Sequence, residues 1–117
     1  LQGILTEGVV HRKIPVATVV DLMTRRPAEI FGLFPRKGSL MPGADADLVV
    51  VDIDRHHKVS REEIRSATPF SLYEDHVLTG WPNVVIKGGR LIIKDGNWVA
   101  DPPPSQVLMG RENNFRR

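Results

Sequence analysis

Hydrophobic spacing near the start of the chain predicts two short helices that meet at a corner. Val16, Val19, Val20 and Met23 recur at intervals of three and four residues, which predicts an amphipathic helix over residues 15–26 with the basic pair at 25 and 26 in its last turn. Pro27 is suited to a first helical turn, so a second short helix is expected through Phe31, ended by glycine 32. The apolar residues of segment 4–10 fit either a helix or a loop broken near glycine 8.

The middle of the chain changes from helical to extended character. Prolines and glycines between residues 35 and 43 predict a loop, and the apolar run of residues 48–53 predicts a buried strand. Ser60 followed by Glu63 has the spacing of a capping box and predicts a helical turn or two over residues 61–66.

Residues 83–100 carry the clearest local signal, which is that of a three-stranded meander. Gly88-Gly89 and Asp95-Gly96 are two-residue loops suited to hairpins. With direct pairing, one face would be an apolar core face made of Val84, Ile86, Leu91, Ile93, Trp98 and Ala100. The other face would carry a row of Val85, Ile92 and Val99, which is too apolar for plain solvent surface. Three prolines at 102–104 then predict an extended connector, so the tail is expected to leave the meander and dock elsewhere.

The length and composition of the chain argue against several classes of protein. The 117 residues suit one domain and are too few for a complete (β/α)8 barrel, which needs about 250 residues. The net charge is only +2 and its basic clusters are scattered, which argues against nucleic-acid binding. With no cysteine, the chain has no disulfide, zinc finger, iron–sulfur cluster or thiol nucleophile, and a cytoplasmic location is consistent with this. No apolar run has the roughly 20 residues of a membrane span, and the start at Leu1 suggests a fragment.

The residues that could carry out chemistry are better explained by structural roles. Asp45, Asp47, Asp52 and Asp54 lack the spacing of a calcium loop and are expected to flank the strand. Adjacent histidines 56 and 57 would point to opposite faces of a strand, and neighbours 74–76 (Glu-Asp-His) lack the spacing of a helical zinc pair. The remaining candidates are better explained as turn, surface and packing residues: Gly88-Gly89, Ser39, Ser60, Ser66, Ser71, Ser105, Trp81 and Trp98. The residues alone therefore indicate a small α+β unit without a catalytic, cofactor-binding or metal-binding residue.

A long motif nevertheless resembles a known family. The stretch Pro27-Ala-Glu-Ile-Phe-Gly-Leu-Phe-Pro-Arg-Lys-Gly-Ser-Leu-Met-Pro-Gly-Ala-Asp-Ala-Asp-Leu-Val-Val-Val-Asp52 is similar to the end of the barrel and the following strand in the amidohydrolase superfamily. Its order is most similar to that of cyclic amidohydrolases, especially dihydropyrimidinase and hydantoinase. Further pieces agree, so that the resemblance covers residues 3–100: Glu7-Gly8-Val9, Phe70-Ser-Leu-Tyr-Glu74, Gly80-Trp-Pro82, Lys87-Gly-Gly-Arg90 and Asp95-Gly96.

The resemblance implies an architecture. Residues 1–34 would be the last helices of the hydrolase barrel, residues 35–101 the C-terminal strands of a composite β-sandwich, and residues 102–117 a Pro-led tail. The partners would be the rest of the barrel and the N-terminal sandwich strands. In the family a basic, Phe-containing end packs on a neighbouring subunit of a tetramer, and Gly110-Arg-Glu-Asn-Asn-Phe-Arg116 resembles that end only loosely.

The resemblance also implies a function for a longer parent protein. Family members open cyclic amides at a C–N bond with two divalent metal ions, generally zinc. The metal ligands and the catalytic aspartate would all precede this segment, so none is assigned here and the segment alone is expected to be inactive. The alternative is a non-catalytic, dihydropyrimidinase-related scaffold with the same fold and assembly, and a third possibility is an isolated binding module.

Overall fold

The fold combines N-terminal helices with one antiparallel sheet. A computed structural model describes residues 1–63, 68, 70–105 and 107–110. Its elements are α1 (Gln2–Ile4), a π-helical segment (Leu5–His11), α2 (Val16–Met23), α3 (Arg25–Ile30), β1 (Leu48–Lys58), a 3-10 turn (Arg61–Glu63), β2 (Val77–Lys87), β3 (Arg90–Lys94) and β4 (Asn97–Trp98). In the part of the chain so described, no helix is long and apolar enough to cross a membrane.

The first helical segment is continuous. Backbone hydrogen bonds carry α1 directly into the π-helix, so the open question over residues 4–10 is answered by a helix that passes through Gly8 without a break. A Cβ added at Gly8 would lie 3.6 Å from Val19 Cγ2, which is an ordinary packing distance. The glycine therefore marks a close approach between two helices and is no break.

The two predicted helices of the corner are confirmed, but their boundary differs. The predicted helix over residues 15–26 ends at Met23, and the basic pair starts α3 instead of closing α2. Arg25 Nε donates to Glu29 Oε1 at 2.7 Å and Arg26 Nε donates to Asp21 Oδ2 at 3.0 Å, so side-chain pairing places the arginines here. Pro27 falls in the first turn of α3, where a missing N–H costs no helical hydrogen bond.

The sheet has the order β1-β2-β3-β4 with every pair antiparallel, which confirms the two hairpins. The strand predicted over residues 48–53 exists and continues to Lys58. Its predicted burial is wrong, because Val49, Val50 and Ile53 are each about half exposed. The error has a physical reason: β1 is an edge strand, with β2 as its neighbour on one side and no strand of the described residues on the other.

The predicted division of the meander into a core face and an outer face is also wrong. A bulge in β3 shifts the register between Val85 and Ile86, so that Ile93 lies opposite Val85 and Lys94 lies opposite Val84. Ile92, expected on the outer face, is only 3% exposed, whereas Leu91 and Trp98 of the expected core face are 38% and 49% exposed. One extra residue in a strand moves the side chains beyond it to the opposite face of the sheet. The spacing of the glycine loops does not predict such a bulge.

The predicted helix over residues 61–66 is represented by the 3-10 turn Arg61–Glu63, and its other residues lie outside the described ranges. The π-helical segment and α1 pack on β2. The buried apolar residues of the described chain are distributed over the helices and the sheet: Leu5, Val19, Ala28, Leu78 and Ile92.

Candidate functional site

The densest group of charged side chains joins the loop after α3 to the β2–β3 turn. Lys37 Nζ lies 2.9 Å from Asp45 Oδ2 and also donates to Asp47 Oδ2. Arg36 Nε donates to both carboxylate oxygens of Asp45, at 3.1 and 3.2 Å. These four residues are called the ion-pair cluster below.

The backbone of the β2–β3 turn completes this arrangement. The Gly88 N–H donates to Asp47 Oδ1 at 2.7 Å, and the Gly89 N–H donates to the Ala46 carbonyl at 3.0 Å. Asp47 therefore bridges a lysine of the loop and an amide of the sheet. The glycine pair acts as a turn that docks a carboxylate from the loop.

The cluster shifts the pKa of its members in the directions that stabilise their charged forms. Hydrogen bonds from Lys37, then from Arg36, lower the pKa of Asp45. The pKa of Asp47 is lowered by the hydrogen bond from Lys37 and next by that from the Gly88 amide. The pKa of Lys37 is raised, first by its hydrogen bond to Asp47 and then by that to Asp45. All the carboxylates here are engaged, which suits a structural brace better than acid–base catalysis.

The prediction that four aspartates flank the strand is correct for Asp45 and Asp47, which precede β1. It is wrong for Asp52 and Asp54, which lie within β1 because the strand continues to Lys58. Sequence reasoning did not assign Arg36 and Lys37 as partners of the first two aspartates. A signal existed, since a basic pair and two aspartates stand at opposite ends of a loop rich in proline and glycine, and closing that loop brings opposite charges together.

The two adjacent histidines have separate partners. The His56 ring is hydrogen-bonded through Nδ1 to Thr79 Oγ1 at 2.9 Å. His57 Nε2 lies 2.7 Å from Glu63 Oε2, and its ring centroid is 4.1 Å from that of Trp81. Trp81 thus packs against the His57 ring, which agrees with the packing role expected for it.

The other candidates are dispersed in the same way. Asp75 Oδ1 pairs with Lys58 Nζ at 2.8 Å, whereas His76 Nδ1 donates to the Glu74 carbonyl at 3.0 Å. The Ser39 hydroxyl donates to the Pro35 carbonyl at 2.7 Å. Serine 66 lies outside the residues that the structure describes.

The implied metal centre requires several ligating side chains close together. Among the described residues, no three histidine, aspartate or glutamate side chains are grouped so that they could hold a metal ion. The two-metal centre that the resemblance implies therefore does not fit this part of the chain, and no chemical step is derived through a metal here.

Comparison with known proteins decides the family. The model of the "Amidohydrolase family" matches residues 8–99, which is most of the chain. The chain belongs to the amidohydrolase family. The chain is 33% identical over 106 residues to a D-hydantoinase from Ralstonia pickettii, covering 91% of this chain and 23% of that protein. It is 37% identical over 89 residues to the mouse (Mus musculus) "Dihydropyrimidinase-related protein 5", covering 76% of this chain and 16% of that protein.

A solved structure agrees with the fold. The D-hydantoinase (dihydropyrimidinase) from Thermus sp. superposes with a TM-score of 0.79 and 32% identity, covering 86% of this chain and 22% of that one. The combination of short helices and an antiparallel sheet is thus shared with a hydantoinase. The chain spans about a quarter or less of the length of the relatives it matches.

Proposed function

We propose that this chain is the C-terminal part of a metal-dependent hydrolase that opens dihydropyrimidine- or hydantoin-like rings at a C–N bond. The observation that carries the proposal is the similarity to hydantoinases, which extends over 91% of the chain in sequence and 86% in structure. Ring opening would take place in the parent protein on two divalent metal ions, with zinc as the expected metal. Their ligands would precede this chain, as the resemblance to cyclic amidohydrolases implies.

Within such a parent, this segment would have a supporting role. Residues 1–34 would be the last helices of the barrel, residues 35–101 one part of a β-sandwich, and residues 102–117 the tail. Within residues 35–101, the ion-pair cluster would hold the loop after α3 against the β2–β3 hairpin. The exposed apolar side chains of β1 would be covered by N-terminal sandwich strands. We further propose a cytoplasmic homo-oligomer, with a tetramer as the expected assembly.

The test is a comparison of the whole reading frame that contains this segment with the 117-residue chain. Both are purified and assayed for hydrolysis of hydantoin and dihydrouracil, with and without a chelator. We expect chelator-sensitive ring opening from the longer product and none from the short chain. Ring opening by the short chain would contradict the assignment of the chemistry to upstream residues.

The second candidate function is a non-catalytic scaffold. It is favoured by the 37% identity to a protein named for its relation to dihydropyrimidinase. The same reading frame distinguishes the two candidates, because a scaffold would have the barrel without its histidine, lysine and aspartate ligands. A barrel-length product that assembles but opens neither ring, with zinc added, would favour the scaffold over the hydrolase.

A further inference from the structure

The chain after β4 is partly buried at two of its described residues. Pro103 and Leu108 are half-buried, whereas Val107 and Met109 are 90% and 88% exposed. Successive side chains of an extended backbone point to opposite sides, so the exposure of Val107 and Met109 on either side of Leu108 fits an extended segment with one side turned inward. A free tail would expose both sides equally.

The inward side of this segment lies over the ion-pair cluster. A cavity of about 190 Å³ is lined by the four cluster residues, by Lys87 and Gly88 of the hairpin, and by tail residues that include Ser105 and Leu108. A Cβ added at Gly88 would be 3.7 Å from Pro103 Cγ, which places the start of the tail against the turn.

The far end of the segment reaches the helical corner. A Cβ added at Gly110 would lie 1.8 Å from the Phe31 carbonyl oxygen, so the two backbones are in direct contact there. Phe31 follows the last residue of α3. The described tail residues therefore lie beside the β2–β3 turn and the ion-pair cluster at one end and against the end of α3 at the other.

We propose that tail residues 102–105 and 107–110 form an intramolecular strap that makes up one wall of this cavity and holds the β2–β3 hairpin to the helical corner. The strap is the chain's own tail and not that of a second copy. Only four residues separate Trp98 of β4 from Pro103, and β4 belongs to the same meander as the hairpin. So short a connection gives the tail a millimolar effective concentration beside its own hairpin.

The test uses the absence of cysteine from the chain. The substitutions Lys87→Cys and Ser105→Cys place one thiol on the hairpin and one on the tail, both at the cavity. A short bifunctional maleimide should then give a monomeric, intrachain crosslink whose yield does not depend on chain concentration. Adding Leu108→Ser should lower the ratio of docked to undocked tail roughly fivefold, because a half-buried leucine side chain is lost. The matched control Val107→Ser, at an outward position, should leave the yield unchanged.

Two results would overturn the strap. Crosslinked dimers that increase with concentration would place the tail on a second copy, and equal yields from Leu108→Ser and Val107→Ser would show a tail that passes the hairpin without docking. The unmodified chain gives an independent readout. A nuclear Overhauser effect between Pro103 and Gly88 is expected, and its absence while the β2–β3 cross-strand effects persist would likewise refute the proposal.

Discussion

The N-terminal helices are fastened to the sheet at two junctions that use different physics. At the first junction, the buried Thr6 hydroxyl accepts the Thr79 N–H at 2.9 Å and donates to the Gln2 carbonyl at 2.9 Å. At the second junction, the ion-pair cluster connects the loop after α3 to the β2–β3 turn, with side chains 27–58% exposed. The first junction is neutral and closed to water, whereas the second is charged and in contact with it.

The two junctions are expected to contribute differently to the stability of the fold. Exposed ion pairs contribute little individually, because water and salt screen them and long side chains lose freedom. A buried polar group without a partner costs about 1–3 kcal/mol. We therefore expect the buried junction to dominate the free energy of unfolding, and the charged junction to set its dependence on salt and pH.

The largest expected effect is at Gly80, beside the buried junction. Gly80 has φ +84°, and an added Cβ would lie 2.6 Å from Leu5 Cδ1, a side chain that is itself buried. Gly80→Ala combines backbone strain with overpacking and should lower the free energy of unfolding by roughly 3 kcal/mol, measured by urea denaturation.

The matched control is Gly89→Ala. Gly89 has a similar φ of +78° but has no atom within 4 Å of the added Cβ. It should cost only the backbone part, about 1 kcal/mol. Equal losses at the two glycines would mean that the contact between Leu5 and β2 is not tight.

The second prediction removes the hydroxyl at the buried junction. Thr6→Val preserves the shape of the side chain but leaves the buried Thr79 N–H without its acceptor, so we expect a loss of about 2 kcal/mol. Thr24→Val is the control, because the Thr24 hydroxyl donates to the Val20 carbonyl at an exposed position and should change stability by less than about 0.5 kcal/mol. Amide exchange at Thr79 gives the local readout, and unchanged protection there in Thr6→Val would contradict the role of the hydroxyl.

Much of this arrangement follows from the sequence, and the exceptions share a cause. The helical corner and both hairpins depend on local spacing and turn residues, and both were predicted. The burial of β1 depends on which elements cover the strand, and the faces of the meander depend on a single bulge at Ile92. Both are non-local properties. The ion-pair cluster was missed for the same reason, because its charges are eight to ten residues apart in a loop whose closure no local pattern specifies.

The third prediction concerns the charged junction. Lys37→Met removes the cation shared by Asp45 and Asp47, and should lower the free energy of unfolding by at most about 1 kcal/mol at low salt. The difference from the parent chain should shrink in 1 M salt, where the Debye length is about 3 Å. Lys58→Met, which breaks the isolated and highly exposed pair with Asp75, is the control and should have no measurable effect. A Lys37→Met defect that persists in full at high salt would indicate lost packing instead of lost charge.

The smallest effect is the pH dependence of the same junction. The pKa values of Asp45 and Asp47 are lowered on folding, chiefly by Lys37, so their contribution is present above about pH 4 and is lost as the pH falls through the lowered values. The pKa of Lys37 is raised, so its contribution is present below about pH 10.5 and is lost as the pH rises further. Urea denaturation at pH 7, 5 and 3 should therefore show a smaller acid loss in Lys37→Met than in the parent chain. Thr6→Val should retain the parent's pH dependence, because no titrating group is removed from the buried junction. If Lys37→Met and the parent lost stability in parallel on acidification, the ion-pair cluster would not be the source of the acid sensitivity, and the distinction between the two junctions would fail.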